Sequence, residues 1–371
     1  MGRLKVGVVG CGLIAQVMHL HYLRELSDRF EIAALCDVSE ETRDACAREY
    51  GVTETYSDWQ ELVRRPLDAV MVLTSGSHAP VAIAAAQAGI HVFVEKPMCL
   101  SIAEGQAMVD AADRAGVTLM VGYNKRYDPA YRRLLDEKPK LADLRLLRIT
   151  TLESPIAPYV QHYPLHRGAP PAKEIADALN ADTAARIAHA VPDADPLSRW
   201  AYHAVLLDSL VHELNAMRGA MGEPDRLEFA DIRETGLTAV FTYGAAQAIL
   251  AWVDLPTIAR YSMEFAFYSP EKRLTLSFPS PFLRSMPTLL ITEDGAADSP
   301  RSTRTEEVAS YRESFKEELV HFHDCVTKGT QPVTSGRDAL HDIALCESVV
   351  AVHRSRTARE HPSVPAVGAA R

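Results

Sequence analysis

The sequence predicts an α/β protein whose N-terminal third forms a doubly wound parallel sheet. Short apolar runs alternate with helical patterns from the first residues to about residue 122. These runs are continuously apolar rather than alternating, as expected when helices cover both faces of a parallel sheet. Pro97 and Gly116 separate the later units. Together these observations favour strands joined by helices over an all-helical or all-strand fold.

Five strands and four helices are expected in this first third. The predicted strands are residues 4–9, 31–36, 69–73, 91–94 and 117–121. The predicted helices are residues 13–26, 40–50, 78–88 and 101–115. Because a helix connects each strand to the next, the strands are expected to run parallel in one sheet.

The pattern changes after about residue 123. Residues 144–152 resemble a longer strand, and residues 154–200 then hold seven of the 22 prolines of the chain. A connection this long inside a compact protein is usually functional or disordered. We interpret residues 154–200, called the arm below, as an inserted arm or lid that contains a weakly amphipathic helix at residues 173–188.

The remainder of the chain is predicted to mix helices with antiparallel strands. Residues 202–217 form a helical pattern, and residues 225–278 read as an antiparallel meander broken at turn residues. Two further helices are expected at residues 311–327 and 337–354. The Ala-, Pro- and Arg-rich tail, residues 356–371, is expected to be flexible.

Composition excludes several classes of protein. Hydrophobic residues make up 47 % and charged residues 24 % of the 371 residues, as in soluble globular proteins. The most apolar stretch, residues 204–217, is interrupted by Asp208, His212 and Glu213, so no membrane span is expected. The formal net charge of −10 opposes a nucleic-acid partner, because such binding needs clustered cations.

The cysteines and the N-terminus suggest a cytoplasmic protein. The first apolar run is too short for a secretory signal, and the six cysteines include no Cys-x-x-Cys pair. We therefore expect the cysteines to be small buried hydrophobic residues. No metal site is expected, because the one tight pair of possible ligands, His321 and His323, diverges on a predicted helix.

A glycine motif follows the first predicted strand. Gly10-Cys11-Gly12-Leu13-Ile14-Ala15 is a G-x-G-x-x-A pattern that opens a helix. Gly10 permits the tight turn, Gly12 lets the backbone approach a pyrophosphate, and the phosphates then lie on the helix N-terminus beside Leu13 and Ile14. The alternative is a glycine turn in an α/β protein that binds no nucleotide, but the strand, helix and following acid favour a dinucleotide site.

The acid is Asp37, at the end of the second predicted strand. A carboxylate at that point accepts hydrogen bonds from the adenosine ribose hydroxyls and repels a 2′-phosphate. The residues directly after it, Val38-Ser39-Glu40-Glu41, include no cation. The sequence therefore favours NAD over NADP as cofactor.

Three residues form a candidate catalytic set. Lys96 follows Glu95 at the end of a strand of the same sheet, where ligands of such sheets bind. Asp208 and His212 are four residues apart and so share one face of a helix. Taken singly, these are a surface lysine and a salt-linked core pair. Taken together, they supply the base and the oxygen donor that oxidation of a secondary alcohol requires.

These motifs occur in the order found in one known family. They are the glycine motif with His19-Leu20, then Glu95-Lys96-Pro97, Gly122-Tyr123-Asn124-Lys125-Arg126-Tyr127, and Asp208 to His212. With this set the chain resembles the glucose–fructose oxidoreductase/inositol dehydrogenase (Gfo/Idh/MocA) family over essentially its whole length to about residue 355.

The resemblance implies a two-domain organisation. Residues 1–122 are expected to be a dinucleotide-binding Rossmann domain. Residues 123–355 are expected to be an α/β domain, built on a large open and mostly antiparallel sheet, for substrate binding and oligomer contacts. A homodimer or homotetramer is expected, because an open sheet leaves a face that needs cover.

The resemblance also implies roles for single residues. Lys96 becomes the lysine beside the nicotinamide, with Glu95 also at the cofactor and Pro97 after a cis peptide bond. His212 becomes the proton acceptor, and Asp208 the acid that contacts the substrate or orients the site. Tyr123, Asn124 and Arg126 are expected near the cofactor or substrate, although Arg126 could equally be structural.

The chain departs from the family pattern around the substrate. Many members carry glycines where Tyr202 and His203 stand, and a glycine or an acid where Leu210 and Asn215 stand. These side chains imply an altered pocket, lined in part by Tyr202 and His203. His162 of the arm is a further candidate for substrate contact.

The sequence therefore predicts a NAD(P)-dependent oxidoreductase acting on a secondary hydroxyl or ketone of a sugar, sugar derivative or cyclitol. Two alternatives remain open at this point. One is a glycosidase of the same family that uses transient oxidation by bound NAD. The other is a non-catalytic sensor that binds the dinucleotide.

Overall fold

The computed structural model describes residues 2–170 and 172–357. Residues 358–371 of the predicted flexible tail lie outside the described residues. The two residues before them, 356 and 357, continue the last helix, so the start of the predicted tail is wrong by two residues.

Within the described ranges, fourteen strands form two sheets. The strands are β1 (Leu4–Val9), β2 (Phe30–Cys36), β3 (Glu54–Tyr56), β4 (Ala69–Val72), β5 (His91–Glu95), β6 (Leu119–Gly122), β7 (Leu146–Glu153), β8 (Arg226–Arg233), β9 (Gly236–Tyr243), β10 (Ala246–Asp254), β11 (Ser262–Tyr268), β12 (Lys272–Phe278), β13 (Leu289–Gly295) and β14 (Ser302–Val308).

Twelve α-helices connect and cover these strands in the same part of the chain. They are α1 (Leu20–Glu25), α2 (Glu40–Tyr50), α3 (Trp59–Leu62), α4 (Ala79–Gln87), α5 (Ile102–Ala115), α6 (Pro129–Glu137), α7 (Ala157–Val160), α8 (Lys173–Ala190), α9 (Pro196–Trp200), α10 (Val211–Met221), α11 (Ser314–Lys328) and α12 (Gly336–Thr357). Short 3₁₀ turns occur at Asn124–Tyr127 and Leu141–Asp143, and π-helical segments at Ala15–His19 and Ala201–Leu210.

The first sheet confirms the predicted fold class. Its six strands are all parallel and follow the order β3-β2-β1-β4-β5-β6, which is the Rossmann order. Strands β4 and β6 are buried at every residue, as the continuous apolar runs predicted. The short edge strand β3 and helix α3 were not predicted, because β3 is half-exposed and has no apolar run.

The second sheet has eight strands in the order β14-β13-β12-β11-β7-β10-β9-β8. Neighbouring strands are antiparallel except β7 and β10, which are parallel. The prediction of a simple meander is therefore wrong at one place, since β7 inserts between β10 and β11. Strands β13 and β14 were also not predicted, because β14 is polar and exposed and shows no apolar face.

The last two helices join the sheets. Phe315, Leu319 and Phe322 of α11 are buried in the core formed with β1 and α1. Helix α12 packs against α5 on one side and β8 on the other. The carboxyl ends of the parallel strands are thereby held beside β7 and the helix that leads into α10.

That helix is continuous from α9 through the π-helical segment to α10, and it is longer than the predicted helix 202–217. In the arm, α8 confirms the predicted helix 173–188. All six cysteines are free and buried, as predicted. None of the helices in the described ranges has the length and hydropathy needed to cross a membrane.

Candidate active site

The turn after β1 has the shape that the glycine motif predicted. Gly10 has a φ of 98°, and a Cβ added there would lie 2.8 Å from the carbonyl carbon of Leu73, so a larger residue would be strained. A Cβ added to Gly12 would meet no atom within 4 Å, which leaves open space above the turn. The chain then enters the helical segment Ala15–His19. An open cradle at a helix N-terminus is what a pyrophosphate needs, so these residues fit a dinucleotide.

Asp37 lies directly beside this turn. Its Oδ2 accepts a hydrogen bond from the Cys11 N–H (2.7 Å), and its Oδ1 accepts one from the Ser39 N–H (2.8 Å). The carboxylate is therefore fixed at the end of β2 and stays half-exposed. Each oxygen keeps a lone pair that can accept a hydrogen bond from a ribose hydroxyl.

Lys96 connects the parallel sheet to the long helix. It follows β5 and precedes a cis peptide bond to Pro97. Its Nζ donates to the carbonyl oxygen of Asp208 (2.5 Å) and to the carboxylate Oδ1 of the same residue (3.1 Å). The ammonium is thus held at the mouth of the crevice.

His212 lies in the first turn of α10, just after the π-helical segment. Its Nδ1 is buried without a hydrogen-bond partner, and its ring meets that of Tyr123 edge-on at 6.1 Å between centroids. Burial lowers the pKa of His212 well below its usual value, and the charges of Lys96 and Lys125 lower it further. The imidazole is therefore neutral at neutral pH and able to accept a proton.

A cavity of about 700 Å³ brings most of the predicted site together. The predicted residues that line it are Gly12, Leu13, Ile14, Glu95, Lys96, His203, Asp208 and His212. One end of the cavity is the glycine turn, and the other lies against the second sheet. Its volume is within the range of small-molecule sites.

Two charged residues in this cavity were not predicted. Lys125 is buried, with its Nζ 4.8 Å from the centroid of the Phe278 ring, and burial lowers its pKa. Glu213 accepts a hydrogen bond from the Thr151 hydroxyl (2.6 Å), while its other oxygen has no partner. Burial raises the pKa of Glu213 to about 7. Two features of the sequence could have indicated these residues. Lys125 lies inside a family motif, and Glu213 directly follows His212.

Four more residues line the wall beside the second sheet. They are Glu153, Tyr159, Trp252 and Tyr261. Glu153 accepts hydrogen bonds from the Ser209 hydroxyl (3.0 Å) and from the Trp252 indole N–H (3.5 Å). This part of the cavity therefore offers carboxylates and aromatic faces, a surface suited to a polyhydroxylated molecule.

Residues 4–123 match the family described as "Oxidoreductase family, NAD-binding Rossmann fold" (GFO_IDH_MocA). The myo-inositol 2-dehydrogenase of Thermotoga maritima is 26 % identical over 351 residues, which cover 90 % of this chain and 92 % of that protein. The predicted resemblance to the Gfo/Idh/MocA family is thereby confirmed for residues 4–123, and the chain is similar to that dehydrogenase along most of its length.

Solved structures share this fold over almost all of the chain. A levoglucosan dehydrogenase in complex with NADH and L-sorbose has a TM-score of 0.72 at 17 % identity, covering 96 % of this chain and 98 % of that one. The 3-ketoreductase KijD10 from Actinomadura kijaniata, with NADP and TDP-benzene, has a TM-score of 0.70 at 19 % identity, covering 95 % and 98 %. At these identities the likeness concerns the fold.

Five of the six predicted substrate residues do not line the cavity, and three of the five form hydrogen bonds elsewhere. The buried Tyr202 hydroxyl donates to the carbonyl of Leu100 (2.9 Å). Arg126 donates to the carbonyl of Asn215 (3.2 Å), in line with the structural alternative stated for it. Asn124, the third, has its own partner in Ser314, to whose hydroxyl its Nδ2 donates (2.9 Å).

The other two predicted substrate residues differ from each other. Tyr123 is buried behind His212 and contacts it through the ring, so it bears on the site indirectly. His162 is exposed in the arm, with its ring 4.0 Å from that of Tyr163, and does not line the cavity.

A buried group lies behind the cavity. Within the described residues, one set of three possible metal ligands lies close together, namely His19, Glu95 and Glu318. His19 Nε2 is 2.6 Å from Glu95 Oε1, whereas both oxygens of Glu318 are buried without a partner. Burial raises the pKa of Glu318 well above its usual value, and the charge of Glu95 raises it further. The raised pKa favours a protonated, neutral Glu318 in this group. The expectation of no metal stays a prediction.

Proposed function

We propose that this protein is a NAD-dependent dehydrogenase or reductase acting on a secondary hydroxyl or ketone of a sugar, sugar derivative or cyclitol. The observation that carries the proposal is that Lys96 and His212 line one cavity with the glycine turn at Gly12. The names of the relatives, a myo-inositol 2-dehydrogenase and a levoglucosan dehydrogenase, support this substrate class. They favour net oxidation or reduction over a glycosidase or a sensor.

His212 is proposed as the proton acceptor. Because its pKa is lowered, the imidazole is free to take the hydroxyl proton of an alcohol as the carbonyl forms. When bound, the nicotinamide supplies the acceptor or donor of the hydride. In the reverse direction, the imidazolium returns the proton to the carbonyl oxygen.

Lys96 is proposed to stabilise charge on the reacting oxygen. Its ammonium is a strong donor, and the two hydrogen bonds to Asp208 hold it in place before the substrate arrives. Such a preorganised donor lowers the energy of a developing oxyanion. Asp208 is then a positioning residue, with a carboxylate that stays exposed enough to meet the substrate as well.

NAD is proposed as the cofactor on the basis of Asp37. This carboxylate is held by the N–H groups of Cys11 and Ser39 at the end of β2. It can accept a hydrogen bond from a ribose hydroxyl but repels a 2′-phosphate. The cofactor has to be argued from the residues of this chain, because proteins with this fold are found with either NADH or NADP.

The experiment is to follow NADH formation with a panel of cyclitols and sugars. We expect turnover with the wild type and its loss in Lys96→Met and His212→Asn, with NADH binding retained. The matched controls are Lys173→Met and His162→Asn, which remove the same groups at exposed positions outside the cavity. Full activity in both site variants contradicts the assignment, and cleavage of a glycoside without net NADH favours the glycosidase.

We also propose a homodimer or homotetramer. One side of β9 and β10 in the second sheet is buried, whereas alternate residues of these strands remain half-exposed or exposed on the other side. Val253 and Val308 are 37 % and 38 % exposed there. Light scattering on the purified protein tests this proposal, and a mass equal to one chain contradicts it.

A further inference from the structure

The arm is attached to the glycine turn by a reciprocal amide pair. Gln16 Nε2 donates to the carbonyl of His166 (2.9 Å), and the N–H of His166 donates to Gln16 Oε1 (2.8 Å). The same Gln16 Nε2 also donates to the carbonyl of Cys11 (2.8 Å). The ring of His166 adds a contact to Glu49 at 2.8 Å. These contacts fix the arm beside the first helix of the Rossmann sheet.

The next residues of the arm cover the first turn of α2. The N–H of Gly168 donates to the Thr42 hydroxyl (2.9 Å), and the N–H of Ala169 donates to a carboxylate oxygen of Glu41 (2.8 Å). A Cβ added to Gly168 would overlap the hydroxyl oxygen of Ser39. The backbone of the arm therefore fills the space directly above the start of α2.

In a dinucleotide-binding fold, this space adjoins the adenosine ribose. Ser39, the N-cap of α2, donates its N–H to Asp37 Oδ1 (2.8 Å), so it adjoins the carboxylate expected at the ribose. A 2′-phosphate on that ribose would lie just beyond the acid, at a helix N-terminus that otherwise attracts anions. Here Glu40 and Glu41 stand in the first turn of the helix, and the arm covers its hydroxyl groups.

The far end of the arm is attached on the other side of the glycine turn. Arg186 of α8 pairs with Glu104 at the start of α5, and Thr183 reaches within 3.5 Å of the position of a Cβ on Gly76. The 18 residues of α8 span about 27 Å at the usual rise of 1.5 Å per residue. The arm thus crosses from the β2 side to the β4 side, in front of the end of β1 that lies between them.

We propose that the arm is the outer wall of the adenosine site and that its backbone at Gly168 and Ala169 makes the protein select NAD over NADP. This inference rests on the proposed function, since it presupposes a dinucleotide bound at the glycine turn. A 2′-phosphate would have to displace the arm from Ser39 and Thr42 and would face acidic side chains. The 2′-hydroxyl of NAD needs only the acceptor that Asp37 offers.

Two valine variants test the proposal in the full chain. Gly168→Val places a branched side chain against Ser39 and forces the arm away, whereas Ala297→Val places the same side chain at an exposed position in the turn between β13 and β14. Dissociation constants for NADH and NADPH come from nicotinamide fluorescence. We expect the wild type to prefer NADH by about 30-fold or more, Gly168→Val to reduce that preference about 10-fold, and Ala297→Val to change it less than about 2-fold.

Amide hydrogen exchange of residues 161–170 shows whether the arm has been released. If the arm is released in Gly168→Val but the ratio of the dissociation constants for NADPH and NADH is unchanged, the inference is overturned. Equal or tighter binding of NADPH by the wild type, for which the exposed Arg167 offers a cation, also overturns it. If Gly168→Val does not fold, Thr42→Val removes the acceptor of the Gly168 N–H and should lower the ratio in the same direction. A wild type that binds neither cofactor contradicts the proposed function itself.

Discussion

Lys96 is hydrogen-bonded to Asp208 across the junction between the two sheets, through both the carbonyl oxygen (2.5 Å) and the carboxylate (3.1 Å). Lys96 follows β5 of the parallel sheet, and Asp208 lies one turn before His212 on the long helix. The contact therefore sets the distance between the proposed oxygen donor and the proposed base. Because the Asp208 side chain is 74 % exposed, the pair adds little to stability, and we assign it a positioning role.

The first prediction concerns this contact. Asp208→Ala removes the carboxylate but leaves the backbone carbonyl, so Lys96 keeps one of its two hydrogen bonds. We expect kcat to fall about 10- to 100-fold, because the ammonium is less well oriented. The free energy of unfolding should change by less than about 1 kcal/mol. Steady-state kinetics and urea unfolding measure the two effects.

The control for Asp208→Ala is Asp177→Ala, which removes one partner of the exposed pair between Lys173 and Asp177 on α8. It should alter neither kcat nor stability measurably. A large loss of stability in Asp208→Ala with kcat unchanged would show that the contact is structural.

The second prediction concerns the pH dependence of His212. Its pKa is lowered by burial and by two lysines, so the neutral base persists below the usual value of about 6.5. We expect the acidic limb of kcat/KM for alcohol oxidation to lie below that value. In His212→Asn, kcat should fall about 100- to 10,000-fold. A limb that stays near 6.5 and is absent from the variant contradicts the lowered pKa assigned to His212.

The cofactor half of the site was predictable because its residues follow short-range rules. Gly10 and Gly12 are needed where one strand turns into a helix. Asp37 and Lys96 follow the parallel strands β2 and β5, whose carboxyl ends lie along the same edge of the sheet. Each of these positions is fixed by the local strand–turn–helix pattern. For this reason the sequence alone located them near one another.

The substrate half was not predictable, because distant strands assemble it. Thr151 of β7 pairs with Trp252 of β10 in a parallel register, although about a hundred residues separate them in the chain. That register brings Glu153 to the Trp252 indole, and the packing of α10 on β7 brings Glu213 to Thr151. No local spacing encodes such a pairing. The motif-based candidates Tyr202 and Arg126 instead form structural hydrogen bonds.

The third prediction concerns Glu213. One of its oxygens accepts from Thr151, and the other faces the cavity region without a partner, ready to accept a substrate hydroxyl. Its pKa of about 7 means that the charged acceptor forms as the pH rises through neutrality. In Glu213→Gln we expect KM to rise about 10-fold or more above neutral pH, with a smaller change in kcat.

The comparison with Glu213→Gln at low pH is informative, because the wild-type carboxyl is then protonated and resembles the amide. The difference in KM between variant and wild type should therefore shrink below about pH 6. Glu264→Gln, on the exposed pair with Arg148, is the matched control and should leave KM unchanged at every pH. A pH-independent rise in KM would mean that Glu213 acts through packing alone.

The last prediction concerns the buried carboxyl of Glu318. Its folded-state pKa is raised, whereas the pKa of a glutamate in the unfolded chain is about 4.3. Above that pH the unfolded chain releases a proton that the folded protein retains, so the free energy of unfolding falls as the pH rises. One such group contributes a slope of at most about 1.4 kcal/mol per pH unit, up to its folded pKa.

Glu318→Gln replaces the neutral acid with a group that does not titrate, so it should make the fall in stability with pH less steep. Glu213 and Asp342, whose pKa values are both raised to about 7, contribute the same kind of slope in both proteins, and the difference between the two curves isolates Glu318. Urea unfolding between about pH 5 and about pH 8 measures it. The exposed Glu174→Gln is the control and should leave the slope as in the wild type. Parallel curves for Glu318→Gln and the wild type would mean that Glu318 is ionised in the folded protein, and a cation rather than a proton would then have to balance His19, Glu95 and Glu318.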